Sequence, residues 1–425
     1  MGTNLRPGTD LTFVPVVRRP KRSIPVGEPI SDSAIRVDDD GIVVELGARW
    51  RAGDATLVLE AIHAAADGGV PLTLVHRGAG GRSLLLAASA EWPRLTCREV
   101  VRDTHAAFRP RPERWAHHRL LPAGRPMGPT GIAISGGLGG LGLALAARLG
   151  AAGHRLWLLD RRPVSGLALA DQHRLAAVAR ATRVVVHQSD VTKAVPDSPF
   201  PVTALVHAAG ELELHPLRDI GAGRLERLAP AKAAALRTLV RALAPGGLRS
   251  VVVFGSAESR RPHPLFGGYA LANELVRLEA ARLRRKHRGV RLVTAEWSLW
   301  SDVGMAGPSA GAAAAAGFAT VPPDWGAQAA ELLLDAGNSV PGELVLGGPQ
   351  PTPDRPLAAI AGVAGSSVAR DGRSVDRLVA LCRPVRGGRH RVAGGRGTVV
   401  RAVVDGRAVA TWTSPVHDWA DRRPG

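Results

Sequence analysis

The chain has one tyrosine, three methionines and two cysteines, and aromatic residues make up only 4% of it. Cys97 and Cys382 stand in unrelated surroundings without metal-ligand spacing, so no disulfide framework and no metal site is expected. No uninterrupted apolar run reaches the roughly eighteen residues that a membrane-spanning helix needs. The start, MGTNLRPGTDLTFVPVVRRPKRS, lacks the apolar block of a secretory leader, and the expectation is a cytoplasmic protein without membrane contact. Lysine is as scarce, at Lys21, Lys193, Lys232 and Lys286, so the formal net charge of +18 is almost all arginine. With so few aromatic platforms among the basic residues, that charge does not predict nucleic-acid binding.

What is present is enough for real cores: 425 residues with 45% hydrophobic content correspond to two or three domains of about 150 residues each. Residues 1–33 are rich in Pro, Arg and Gly and read as an extended arm. From residue 34 to 127 strands and helices alternate: AIRVDD, PLTLVH and LTCREVV as strands, ATLVLEAIHAAA and SLLLAASAEW as helices. This unit is read as having no dinucleotide-type glycine turn leading into a helix, and hence as structural. A Pro- and Arg-rich connector ends near Gly128, and a second α/β unit runs from 128 to 349. The tail, 350–425, returns to Pro, Arg and Gly, with TVVRAVVDGRAVATW as a hairpin turning at Asp405 and Gly406.

The second unit opens as a cofactor site should. Ile132–Ile134 is a short strand, SGGLGGLG follows, and LALAARLGAAG continues as a helix. A strand, a glycine-rich turn and a helix bring free N–H groups and the helix dipole to a pyrophosphate. The candidate binding residues are Gly136, Gly137, Leu138, Gly139, Gly140, Leu141 and Gly142. At the end of the next strand, Asp160 could accept from a ribose 2′-hydroxyl and favour NAD, whereas Arg161 and Arg162 could hold the 2′-phosphate of NADP. The reading leans to NADPH. Asp190 and Val191 end a further strand, and Ala208, Ala209 and Gly210 another, all facing one crevice. Asp190 either reaches the adenine or caps a turn.

The sole tyrosine, Tyr269, lies thirteen residues after Ser256, which closes the apolar run Val251–Phe254. A serine at a strand end and a tyrosine in the first turn of the next helix either meet on one carbonyl oxygen, or end a strand and sit on an amphipathic surface. Asn273 follows one turn later. Lys232 lies on a helix from about Leu225 to Leu243, where it is either solvated or a compact charge beside a phenol. SLWSDVGMAGPSAGAAAAAGFATVPPDWG reads as a flexible loop or mobile lid. Elements near Ala327–Asp335 and Glu343–Leu346 complete a seven-strand order.

With SGGLGGLG, HAAG at 207–210, Lys232 in AKAAAL, FGS ending at Ser256, YALAN at 269–273 and WSLWSDVGM at 297–305, residues 34–348 resemble the ketoreductase domain of type I polyketide and fatty acid synthases. That family is a branch of the short-chain dehydrogenase/reductase superfamily. The resemblance implies a Rossmann-like doubly wound parallel sheet, preceded by a truncated Rossmann-like subdomain that binds no cofactor. It implies NADPH-dependent reduction of a β-ketoacyl thioester carried by an acyl carrier protein, with other synthase components as partners. Tyr269 would be the acid, Lys232 would lower its pKa and hold the nicotinamide ribose, Ser256 would bind the carbonyl oxygen, and Asn273 would order the site. The alternatives are a non-catalytic docking domain and a free-standing reductase of small ketones, which normally lacks the N-terminal half.

Two positions that divide the family by alcohol configuration carry neither group's residues: Leu212, Glu213 and Leu214 replace Leu-Asp-Asp, and Arg261 stands where a tryptophan would. The loop SRRPHPLFGG is basic, which predicts a different grip on substrate, and ARLRRKHRG (Arg282, Arg284, Arg285, Lys286, Arg288) is a candidate dock for an acidic carrier protein. The final SPVHDW faintly resembles the start of a dehydratase domain. His390 has Gly394 four residues on but Val399 in place of the proline of HxxxGxxxxP, and no dehydratase activity is expected.

Overall fold

The computed structural model describes residues 33–38, 41–102, 128–305, 320–335 and 342–347, and four strands between 385 and 414. Ala34–Asp38 (β1) pairs antiparallel with Gly41–Leu46 (β2). Asp54–Gly68 (α1), Leu72–His76 (β3), Arg82–Glu91 (α2) and Cys97–Val101 (β4) follow. They form a four-stranded sheet ordered β1-β2-β3-β4, parallel from β2 onward. The sequence reading passed over β2, GIVVEL. It lies inside the sheet and is buried along nearly its whole length, so it shows no polar alternation to mark it as a strand.

The link from β3 to α2 corrects another expectation. Gly78, Gly80 and Gly81 all have positive φ, so a glycine-rich turn does lead into a helix in this half. The helix N-terminus is occupied by protein. Glu274 Oε2 accepts from the Ser83 N–H at 2.9 Å and from the Ser83 hydroxyl at 2.7 Å. A Cβ at Gly80 would stand 2.8 Å from Leu278. The donors that could meet a phosphate here hold a carboxylate instead.

The second sheet is built from Gly131–Ser135 (β5), Arg155–Asp160 (β6), Val184–Gln188 (β7), Ala204–His207 (β8), Ser250–Ser256 (β9), Arg291–Trp297 (β10) and Glu343–Leu346 (β11). Its order is β11-β10-β9-β8-β5-β6-β7 and every pair is parallel. Gly140–Ala151 (α3), Leu169–Ala181 (α4), Ala222–Leu243 (α5), Gly267–Lys286 (α6) and Pro323–Asp335 (α7) flank it. This is the doubly wound α/β architecture, with its topological switch between β5 and β8, where strand order reverses and a ligand crevice opens.

Two hydrophobic cores sandwich the large sheet. Under α3, α4 and α7 lie Ile132, Leu145, Leu158, Phe254 and Leu333. On the other face, Leu236, Leu239, Val251, Leu271 and Leu283 pack in one continuous cluster with Val44, Leu59, Leu74 and Leu85 of the first half. Burial of each such side chain is worth about 1.5–3 kcal/mol. The four-stranded unit is thereby fixed to α5 and α6, the two helices that carry Lys232 and Tyr269.

Among the described residues, no helix is long and apolar enough to cross a membrane and no group of His, Cys, Asp and Glu could hold a metal ion. In the tail, Val385–Arg386 (β12) pairs with Arg389–His390 (β13), and Thr398–Val404 (β14) pairs antiparallel with Arg407–Ser414 (β15), as the Asp405–Gly406 signal predicts. The N-terminal arm up to residue 32, the lid sequence from 306 to 319 and His417 lie outside the described residues.

Candidate active site

A cleft of about 1220 Å³ opens at the carboxyl ends of β5, β6 and β8. Gly136, Gly139, Gly140, Leu141 and Gly142 line it. Gly136 has φ +72°, and a Cβ there would stand 2.8 Å from Ala209 N, so only glycine lets the turn lie against the segment after β8. A Cβ at Gly142 would overlap the Gly136 carbonyl oxygen. Gly137 and Leu138 do not line the cleft. Leu138 is fully buried in the core beneath it, and a Cβ at Gly137 would meet Leu158 at 2.7 Å. Those two residues anchor the turn that the other five present.

Asp160 also differs from its expected use. Its Oδ2 accepts from the Leu138 N–H at 3.0 Å and from Arg162 at 3.1 Å, and its Oδ1 accepts from Arg162 N and Nε, both at 3.1 Å. Burial opposes ionisation, but the hydrogen bonds and charge of Arg162 outweigh it and hold the carboxyl below the usual range. Asp160 therefore ties the glycine turn to Arg162. Arg161 and Arg162 remain largely exposed on the cleft wall, with Arg161 paired to Glu211 across it. Asp190 lines the cleft, but its Oδ1 accepts from Thr192 N at 3.1 Å and Thr192 Oγ1 at 2.6 Å, which makes it a turn cap. Val191, Ala208, Ala209 and Gly210 complete the floor.

The four candidate catalytic residues converge. Tyr269 stands in the first turn of α6 and Asn273 one turn on. Asn273 is fully buried; its Nδ2 donates to the Tyr269 carbonyl at 2.9 Å and its Oδ1 accepts from Lys232 Nζ at 2.9 Å. Ser256 and Asn273 are the polar neighbours that favour ionisation of the Tyr269 phenol. Ser256 also caps the 3-10 turn Ala257–Arg260, accepting from Glu258 N at 3.2 Å. Lys232 is not the solvated lysine of the two readings: half-buried and bound to Asn273, it has its ammonium pushed down to about 8 by desolvation. The expected lowering of the phenol pKa does not hold here. Burial raises Tyr269, the Ser256 hydrogen bond opposes it, the nearby Glu258 charge adds to it, and Lys232 is not among the causes. The phenol is kept protonated, as a proton donor must be.

Sequence reasoning gave His207 no role. Its ring is fully buried, with Nδ1 2.7 Å from Ser135 Oγ and Nε2 3.0 Å from the Lys232 carbonyl. Burial first, then the Lys232 charge, push it down to about 3, so it is neutral and fastens the backbone of the lysine to β5. A histidine closing an apolar strand was the available signal. Asp302, Val303, Gly304 and Met305, the start of the expected lid, line the cleft, and a Cβ at Gly140 would overlap Gly304.

Two basic segments prove to be structural. Arg260 pairs with the buried Glu296 and with Glu343, and Arg261, 6% exposed, pairs with Glu258 at 3.2 Å, so the basic loop turns its arginines inward rather than gripping substrate. In the candidate dock, Arg282 donates to the Ala48 and Gly78 carbonyls and Arg284 to the Leu292 and Gly342 carbonyls. Only the outer end, Arg285, Lys286 and Arg288, is exposed.

A glycine-turn crevice at the switch point of a parallel sheet, lined by tyrosine, lysine and asparagine with a serine at the neighbouring strand end, is the arrangement of a short-chain dehydrogenase/reductase fold. Residues 131–302 match the KR domain family. The erythronolide synthase EryA2 of Saccharopolyspora erythraea is 34% identical over 186 residues, 42% of this chain and 5% of that one. A mycocerosic acid synthase-like polyketide synthase of Mycolicibacterium smegmatis is 29% identical over 221 residues, 49% of this chain and 10% of that one. The chain thus covers only a small part of the length of these relatives. Solved structures of similar fold include an A1-type ketoreductase (TM-score 0.58, 20% identity, 76% of this chain and 78% of that one) and A-type ketoreductases from a modular polyketide synthase (TM-score 0.59, 21% identity, 76% and 78%). The chain carries a KR domain of the short-chain dehydrogenase/reductase type, related to those of type I polyketide synthases.

Proposed function

We propose that this chain reduces the β-keto group of an acyl thioester with NADPH, the thioester being borne by an acyl carrier protein within a cytoplasmic polyketide- or fatty-acid-type synthase. Residues 128–349 are the catalytic unit in this reading and 34–127 the structural one. The observation that carries it is that Lys232 and Tyr269, both half-buried and joined through the buried Asn273, line one cleft with a glycine turn.

The residues present fit the cofactor. Glycines at 136, 139, 140 and 142 leave the cleft wall free of Cβ atoms where a pyrophosphate would approach, and Arg161 and Arg162 offer charge for a 2′-phosphate while Asp160 is engaged elsewhere. When bound, NADPH supplies the hydride. The chain's own groups handle the oxygen. Ser256 at the end of β9 and Tyr269 in the first turn of α6 are neighbours, so a carbonyl oxygen entering between them would meet two hydroxyl donors. As negative charge develops on that oxygen, Tyr269 gives up its proton; a positioned general acid contributes about 10²–10⁴ in rate. The Lys232 ammonium, held by Asn273, lines the same cleft, where it would hold the nicotinamide ribose and bring positive charge to the reacting end of the site.

The test is NADPH oxidation with a simple β-ketoacyl thioester, wild type beside Tyr269→Phe. Turnover in the wild type that vanishes in the variant supports the reading. NADPH binding without turnover of any thioester would instead leave a docking domain.

A further inference from the structure

Among the described residues seven large apolar side chains are exposed, and three of them, Leu214, Leu265 and Met305, belong to segments around the cleft. Met305 lines it, Leu214 follows the lining residue Glu213, and Leu265 precedes Gly268 and Tyr269, which also line it. Leu265 is also strained. Its φ of 71° lies in the left-handed region, where a non-glycine residue is disfavoured and persists only when its surroundings impose it. A glycine would suit that backbone better. A leucine that is 40% exposed contributes little to the core in return.

The surroundings that impose it come from the other half of the chain. Glu91, the last residue of α2, spans two loops: Oε1 accepts from the Leu265 N–H at 3.0 Å and Oε2 from the Leu217 N–H at 2.6 Å. The Leu265 carbonyl in turn accepts from the His215 N–H at 3.0 Å. The second loop is gripped again where His63 Nε2 meets the Leu217 carbonyl at 3.0 Å and where the Arg218 guanidinium lies over Trp92. One carboxylate thus locks the loop after β8 to the loop before Tyr269. With Arg260 and Arg261 turned inward, Leu214 and Leu265 are the apolar side chains that this rim exposes, beside Glu213, His215 and His263.

We propose that Leu265 is a specificity-determining residue that packs against the acyl chain of the substrate, and that Glu91 is the positioning residue that holds it at the rim. The proposal rests on the acyl-thioester reading above and deepens it. The occupant is an acyl chain because the rim continues a cleft whose floor would hold the thioester's β-carbon, and an extended alkyl group is what apolar side chains there can bind.

The experiment measures binding of short- and long-chain 3-hydroxyacyl thioesters by calorimetry in the presence of NADP⁺, together with amide hydrogen exchange, for wild type, Leu265→Gly and Glu91→Gln. Leu265→Gly should lose roughly tenfold in affinity for the long chain, keep its affinity for the short one, and keep NADPH affinity and melting temperature. Glu91→Gln should speed exchange at the Leu217 and Leu265 amides and show the same chain-length-dependent loss. Equal affinity changes for both chain lengths in Leu265→Gly, or unchanged exchange at both amides in Glu91→Gln, would overturn the proposal. Failure of the underlying reading looks different: the wild type would bind NADPH but neither thioester, which removes the role of Leu265, while the amide exchange still decides whether Glu91 is the clamp.

Discussion

Glu274 caps the N-terminus of α2 on Ser83, one carboxylate oxygen taking both the N–H at 2.9 Å and the hydroxyl at 2.7 Å. The adjacent Asn273 faces the opposite way, onto Lys232 and the Tyr269 carbonyl. Successive residues of α6 thus fix the structural half and the site floor. Ser83, Glu274 and Asn273 are buried, so the Glu274–Ser83 bonds are not exchanged freely with water. Glu274→Ala leaves both Ser83 donors without their partner and should destabilise the chain by about 2–4 kcal/mol. Urea denaturation of the variant beside wild type checks it, and NADPH affinity measured on the folded fraction should change little.

The cofactor preference turns on which cleft charges are accessible. Asp160 is 8% exposed and engaged by Arg162 and the Leu138 N–H, whereas Arg161 and Arg162, paired with Glu211 and Asp160, are more than half exposed and can still donate to a 2′-phosphate. NADPH should bind more tightly than NADH. Replacing Arg161 by Ala should narrow the gap by roughly tenfold, the worth of a charge-assisted hydrogen bond. Arg162→Ala should do more, because it also releases Asp160 and loosens the glycine turn. Fluorescence titration of both reduced cofactors decides this, and tighter binding of NADH by the wild type would sink it.

The pH profile should have an alkaline limb set by Lys232. Its ammonium, pushed down to about 8 by burial, is the cationic form below that value and neutral above it, whereas the phenol of Tyr269 is raised and still protonated there. If the lysine charge stabilises the developing phenolate, kcat/KM for reduction falls as pH rises through about 8. His207, held near 3, contributes nothing over the same range. Lys232→Met should lower activity by about 10² or more and abolish the limb. A limb that survives in the variant would assign it to another group.

The architecture was legible because it is written in repeated short apolar strands separated by helices, each ending in small residues on one side of the sheet. Tyr269, Lys232 and Asn273 could be chosen from sequence because tyrosine, lysine and asparagine are rare here, and Ser256 because it closes an apolar strand. What remained hidden depends on where long side chains point. Nothing in SRRPHPLFGG shows that Arg260 turns to Glu296 and Glu343, because those carboxylates belong to other strands. Glu91, which is 126 residues from Leu217 and 174 from Leu265, leaves no local mark at all. The filled turn at Gly80 was equally hidden, since the residue that fills it arrives from α6.

The basic end of α6 carries the last prediction, in a form that the structure narrows. Arg284 is not available to a partner: its guanidinium is bound to the Leu292 and Gly342 carbonyls, and it lies so near Gly342 that a Cβ there would overlap it. Arg284→Glu would set a carboxylate against two carbonyl oxygens in a largely buried place and should destabilise the fold by about 3–5 kcal/mol, lowering the melting temperature and every activity alike. Lys286 and Arg288 are exposed beyond it, where positive charge also complements the helix C-terminus at well under about 1 kcal/mol each. Reversing both to glutamate should leave melting nearly unchanged. If an acidic carrier protein docks there, the double variant raises KM for carrier-bound substrate several-fold, an effect that fades at high salt, while a small-molecule thioester is reduced as before. Equal loss with both substrates would mean that this end of the helix serves only the fold.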